Sequence, residues 1–245
     1  MRWAVKRQAL YAGGIILVLL LLVGGGWLLF FNHKATCSDG ILNQTEEGVD
    51  CGGVCATLCQ APRVSALWAR AVLVAPGVYH AVALVRNPES SAGTDALPYT
   101  FQIFDDKNIL IAERRGVMFL YPGEVVPLFE PNILTGERIP GRTFVTFGGG
   151  QWTRMERPVE PIQITSRQLD ATALTLSAHI ENRTATAVNG TVLTALLYDA
   201  DDIVVAASQT KLGTVPPKGS QDAVFTWQQP FAREIVRTDI VARTQ

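Results

Sequence analysis

The first 31 residues restrict this chain more than any other stretch. From Ala9 to Phe31, 23 consecutive residues carry no charge, among them the run Ile15–Val23, the triplet Gly24–Gly26 and Trp27–Phe31. A bilayer core about 30 Å thick needs roughly 20 apolar residues in helical form. Ala9–Phe31 is therefore predicted to be a transmembrane helix, with residues 1–8 as a short tail. Arg2, Lys6 and Arg7 precede the run, whereas Lys34 and His33 are the basic residues close behind it. That bias places the N-terminal tail in the cytoplasm and residues 35 onward outside, as a single-pass protein of the cell membrane. A cleaved signal peptide is the alternative, because Gly24–Gly26 offers small residues after an apolar core. Such cores span only about 7–15 residues, and cleavage there would expose Trp27–Phe31. The length of the run favours an uncleaved anchor.

With the anchor set aside, about 210 residues remain, enough for one large or two small domains. All 22 acidic residues lie beyond residue 34, and removing the four cations before that point from 21 leaves 17, a net charge of −5. A mildly acidic region with scattered arginines excludes the clustered basic face that a nucleic-acid partner requires.

All four cysteines, Cys37, Cys51, Cys55 and Cys59, fall just beyond the predicted membrane face. The segment from 32 to 61 has too few apolar residues to form a core of its own. An even cysteine count in an extracytoplasmic segment favours disulfides, and four cysteines allow three pairings. Zinc competes, since the two shorter gaps suit a metal site, but the oxidising location and the lack of a nearby His argue for disulfides. Asp39, Asn43, Glu46 and Asp50 recur every three or four positions among glycines. They are candidate calcium ligands on chemistry alone, yet their spacing does not match an EF-hand. Turn capping by Asp and Asn side chains, with Gly at positive φ, explains the same pattern and is favoured. No other cofactor is expected.

The string Cys37-x-Asp39-Gly40-x-x-Asn43-x-x-Glu46-x-x-x-Asp50-Cys51-Gly52-Gly53-x-Cys55 resembles a short Cys-rich repeat of bacterial surface and secreted proteins. The relatives usually place the final pair closer, as Cys-x-x-Cys; here three residues separate Cys55 from Cys59. The resemblance implies a surface-exposed module and no activity.

From Val64 onward, short alternating or apolar runs rich in Val, Ile, Thr and aromatics are punctuated by Pro, Gly, Asn and Asp, the pattern of an all-β sandwich. The pattern occurs twice. Tyr79–Asn87 followed by Tyr99–Asp105 corresponds to Leu174–Asn182 followed by Thr191–Asp199, so that Asn87 aligns with Asn182 and Asp105 with Asp199. Each copy continues into a Pro/Gly turn, at Tyr121–Glu124 or Val215–Gly219, and then a strand ending near Phe129 or Trp227. A repeat of this length is a whole domain. Two tandem sandwiches are predicted, residues 62–158 and 159–245, joined near Glu156–Pro161. In Phe101-Gln-Ile103 alternate side chains share one face and can enter the core. Phe104 then crosses the sheet and Asp105 starts a turn. Phe101-x-Ile103-Phe104-Asp105 and Ala195-x-Leu197-Tyr198-Asp199 resemble the strand end that names the bacterial FxLYD domain. The second copy replaces the leading Phe with Ala. That resemblance implies an extracytoplasmic Ig-like sandwich and leaves ligand and activity open.

Little in the chain suggests catalysis. His33 lies at the membrane boundary, and His80 and His179 sit in predicted strands at different places in the two copies. No nucleophile elbow, zinc-protease helix or phosphate loop is present. Gly148–Gly150 reads as a turn before a Trp-bearing strand. Asp199, Asp201 and Asp202, mirrored by Asp105 and Asp106, could hold loop calcium but read as solvated β-turns. The sequons at Asn43, Asn182 and Asn189 are formal only in a bacterial chain.

The expectation is a membrane-anchored, non-enzymatic protein. Its partners are the lipid bilayer and an envelope protein or glycan, with a structural spacer role as the alternative and an enzyme with an unrecognised site as a third, less favoured reading.

Overall fold

The computed structural model describes residues 2–31 and 36–244; His33, Lys34 and the other residues of the gap lie outside it. The chain forms two compact units, Met1–Cys55 and Ala56–Gln245.

Helix α1 spans Arg2–Phe31. It therefore begins seven residues before the uncharged run, and the expected tail is helical. Arg, Lys, Gln and Ala are strong helix formers, and nothing in 2–8 breaks the pattern. One turn apart, Arg7 stacks over the Trp3 ring at 4.2 Å. The helix also runs unbroken through Gly24–Gly26. Lys6–Trp27 is long and apolar enough to cross a membrane, and none of it is buried against protein.

The second unit is all β. Its first half contains β1 (Ser65–Ala75), β2 (Val78–Arg86), β3 (Ala92–Asp105), β4 (Leu110–Leu120), β5 (Val125–Leu134), β6 (Pro140–Phe147) and the two-residue β7 (Thr153–Arg154). Its second half contains β8 (Ile162–Asp170), β9 (Thr175–Asn182), β10 (Val192–Tyr198), β11 (Val204–Lys211), β12 (Ser220–Thr226) and β13 (Arg237–Arg243). The sheets are ordered β1-β2-β5 and β4-β3-β6 in the first half, and β8-β9-β12 and β11-β10-β13 in the second. Strand for strand the two orders are the same. The duplication seen in sequence is thus a duplication of Ig-like topology, three strands packed on three. Strand β7 has no counterpart among the described residues of the second half.

Each sandwich has its own core. Ala81, Ala83, Val85, Phe101, Ile103, Leu120 and Val126 close the first, and Leu176, Ile180, Leu193, Ala195, Leu197 and Phe225 the second. Phe101 and Ile103 are both fully buried, as their alternation predicts. Trp152 is also buried, but it lies just before β7 rather than within a strand. Its position is set by neighbouring backbone: Leu58 N donates to Trp152 O at 2.8 Å, and Arg154 N to Ala56 O at 2.6 Å. The last residues of the predicted Cys-rich segment, Ala56–Leu58, are therefore stitched to the first sandwich. The boundary between the two compact units falls after Cys55, inside the predicted segment 32–61.

A third cluster joins the sandwiches. Val72 and Val82 from sheet β1-β2-β5 pack with Leu196, Tyr198, Val204 and Ala207 from sheet β11-β10-β13, flanked by Trp68 and Phe129. Strands β2 and β10 are buried on both faces, which is why Ala81–Val85 and Ala195–Tyr198 read as continuous apolar runs. The four sheets stack as four layers, and the two sandwiches fold as one unit.

Candidate interaction surfaces

The Cys-rich loop is held by covalent bonds and by its own carboxylates. Cys37 is bonded to Cys55. Cys51 and Cys59 are also disulfide-bonded, so no cysteine is free. Zinc ligation by thiolates is thereby ruled out for this state. Asp50 accepts Asp39 N–H at 3.0 Å and Gly40 N–H at 2.9 Å. Asp39 accepts Ile41 N–H at 2.9 Å, Thr36 N–H at 3.1 Å and the Asn43 amide at 2.9 Å. Glu46 accepts Asn43 N–H at 3.3 Å and Asp50 N–H at 3.4 Å. The four calcium candidates are brought together; Asp39, Glu46 and Asp50 accept backbone N–H groups, the turn-capping role, whereas Asn43 Oδ1 is buried without a hydrogen-bond partner. Glu46 also faces the Cys37–Cys55 sulfurs; as a disulfide these supply no thiolate to a metal. Gly53 shows why the Gly-Gly pair is needed: at φ +52°, a Cβ there would sit 1.7 Å from Thr45 O.

The aligned Asn and Asp residues of the two sandwiches do identical work. Asn87 donates to Ala92 O and Tyr121 O at 2.9 and 2.8 Å. Asn182 donates to Thr186 O, Val215 O and Pro216 O at 2.8 to 3.1 Å. Both are buried and tie the β2–β3 or β9–β10 connection to the Pro/Gly turn. Asn182 is thus no accessible glycosylation acceptor. Asp105 Oδ1 accepts Lys107 N–H and Ile109 N–H at 3.0 and 2.8 Å; Asp199 Oδ1 accepts Asp201 N–H and Ile203 N–H at 3.0 and 2.9 Å. The other oxygen of each meets an arginine, Arg138 at 2.7 Å and Arg233 at 2.6 Å. The Asp-rich loops are turns whose first carboxylate is fully engaged. The Ile109 N–H holds the Asp105 carboxyl below its usual pKa, against burial and with help from Arg138. At Asp199 burial alone would raise it, and the Ile203 N–H together with Arg233 more than offsets that.

His80 is half-buried in β2, tilted on Phe129 with centroids 4.7 Å apart, and its Nδ1 accepts Asn132 N–H at 3.1 Å. Burial lowers its pKa. His179 faces Asp222 across β9 and β12 at 2.7 Å. A strand register of this kind is invisible before the pairing is known.

Two surfaces remain. The first is the outward face of β4-β3-β6. Cross-strand pairing puts Gln102 beside Phe144 and Phe104 beside both Leu110 and Arg142. Phe104 and Phe144 meet edge to face at 5.9 Å, and Phe144 is 51% exposed. Leu110, at 44%, extends the apolar area onto β4. The second lies where the sandwiches join. There Arg243 Nη2 donates to Phe119 O at 2.8 Å and to Glu124 at 3.1 Å, with the guanidinium 3.8 Å from the Phe119 ring centre. Burial lowers the Arg243 pKa and Glu124 opposes the shift. Thr244 adds a second clasp, donating from N and Oγ1 to Glu160 at 3.2 and 2.7 Å.

No protein-family model matches this chain. No curated protein matches it either. Among solved structures, a red sea bream transglutaminase is similar at 12% identity with a TM-score of 0.24, over 69% of this chain and 28% of that one. A likeness at that level carries no argument about fold or activity. The helix and the sandwiches themselves fit a membrane-anchored β-domain protein.

Proposed function

We propose that this protein is a non-enzymatic binding module: α1 holds it in the cytoplasmic membrane and the paired sandwiches engage an envelope protein or glycan outside. The observation that carries the reading is the apolar patch Phe104, Leu110 and Phe144 on the outer sheet of the first sandwich. A spacer has no need to leave an aromatic pair in solvent. The spacer reading draws its own support from the Val82–Leu196 packing, which makes a single stiff body of the sandwiches. The basic N-terminal flank of the helix supports the outward orientation, and the disulfides fit an oxidising compartment. A non-enzymatic role fits a His80 whose ring nitrogen is committed to a backbone N–H; His179 pairs with Asp222 at the surface and stands opposite Ser166 in strand register. The Cys-rich string and the Asn/Asp corners support the resemblance to bacterial surface repeats and FxLYD domains.

Crosslinking in intact cells, followed by capture of the full chain, tests this. A partner recovered by the native chain and lost with Phe144→Asp supports a binding face. Recovery equal to that of an anchor-only control overturns it. Protease added to intact cells should remove the β-domains, and their protection would reverse the orientation.

A further inference from the structure

The joint between the sandwiches is not closed along its whole length. Beside the Arg243 clasp a cleft of about 320 Å³ opens, with Asp95, Val117 and Phe129 on the first sandwich and Thr194, Gln209 and Arg243 on the second. That volume lies at the lower end of the range of small-ligand sites, and domain joints are where such sites concentrate. We propose that this cleft binds a sugar ring, which would make the sandwich pair a glycan receptor; the assignment rests on the binding-module reading above.

Three features select that chemistry. The walls are amphipathic: Val117 and Phe129 present apolar surface, suited to the C–H face of a sugar. Opposite them, Thr194 and Gln209 are already ordered by a mutual hydrogen bond at 3.1 Å. Gln209 Oε1 and the Asp95 carboxylate remain as acceptors for hydroxyl protons. Charge then favours a neutral ligand. Glu124 already meets the Arg243 charge at 3.1 Å, and Asp95 at the rim repels an added anion. A long aliphatic ligand is disfavoured because half of the lining would be left unsatisfied.

The test uses the full chain in lipid nanodiscs and saturation-transfer NMR with glucose, galactose and N-acetylglucosamine as probes. At least one sugar should receive saturation from the protein. Val117→Trp, which fills the mouth from an exposed position, and Asp95→Leu at the rim should each reduce that signal to the empty-nanodisc level. Far-UV circular dichroism and Tm of both variants should match the native chain; if one fails to fold, the other decides. No transfer to any of the three sugars, or transfer unchanged in the folded variants, overturns the assignment. Should the native chain capture a crosslinked partner while no sugar binds, the cleft assignment fails and the binding-module reading stands. Sugar binding with no protein captured supports the cleft and makes a glycan, not an envelope protein, the partner of the binding module.

Discussion

Val82 and Leu196 belong to different sandwiches, yet both are buried in one cluster between them. Each lies on the outward face of its own sandwich, so each would be exposed if the sandwiches folded apart. The joint is therefore a core and not a hinge.

Leu196→Ala should destabilise the β unit by about 2–5 kcal/mol, the range for a large apolar side chain removed from a packed site. Calorimetry of the native chain should show the β unit melting in one transition. Leu196→Asp should split it in two, because a buried carboxylate forces the faces apart. An unchanged Tm for Leu196→Ala would show that the joint contributes nothing.

The Arg243–Glu124 pair spans the same joint. Arg243→Met leaves the Glu124 carboxylate buried, with Tyr121 N–H at 3.0 Å and Arg157 at 4.0 Å as its remaining partners. Loss of one member of such a pair costs about 3–5 kcal/mol, and Arg157 places this one toward the lower end. Adding Glu124→Gln removes the stranded charge and keeps an acceptor for Tyr121. Urea titration of the double variant should recover most of the loss; additive losses would contradict the pairing.

Asp105 and Asp199 both have folded pKa values below those of the unfolded chain. Their contribution is therefore fully present above the unfolded value of about 3.9 and disappears as pH falls through the lower folded values. Stability measured from pH 7 downward should stay level with respect to these groups until about pH 4 and then fall. Asp105→Asn combined with Asp199→Asn should flatten that acid limb while lowering stability at pH 7. An acid limb of unchanged slope would exclude the two corners as its source.

Gly116 lies over the Tyr99 ring, where an added Cβ would come within 2.2 Å of the phenol oxygen. Tyr99 is held from the other side, its hydroxyl donating to Glu130 at 2.5 Å, and cannot swing away cheaply. Gly116→Ala should therefore cost about 1–3 kcal/mol by overpacking. The added Cβ would also lie 2.4 Å from the ring carbon Cζ, so the losses of Gly116→Ala and Tyr99→Leu should be less than additive, as read by denaturant midpoints.

The Cys-rich loop has no core to fall back on. Cys37→Ser with Cys55→Ser should make residues 36–55 sensitive to protease under conditions where the β unit survives, with a local loss of about 2–5 kcal/mol. Equal protection of native and variant loops would show that the carboxylate network suffices.

Much of the architecture could be read before any coordinates because its signals are local. Alternation placed Phe101 and Ile103 in the core, and a helix needs only its own residues to satisfy its backbone. The repeat put Asn87 with Asn182 and Asp105 with Asp199 because duplicated side chains keep duplicated local hydrogen bonds. Extending the same alignment would have found Arg138 and Arg233, which are 95 residues apart and bind those aspartates alike. The joint was hidden for a different reason. An unbroken apolar run such as Ala81–Val85 signals burial on both faces, but not which surface covers the second face. His179 and Asp222 likewise became a pair only once strand register set them opposite each other.

The amino-acid sequence by itself determined an apolar helix, a cysteine-stapled loop and two copies of one β-domain, since each depends on residues close together in the chain. Only the tertiary structure decided that the copies share a buried face, that Arg243 crosses to Glu124 119 residues away, and that a cleft is left beside it. Contacts of that range depend on how two finished surfaces fit, and neither surface exists until its own sandwich has folded.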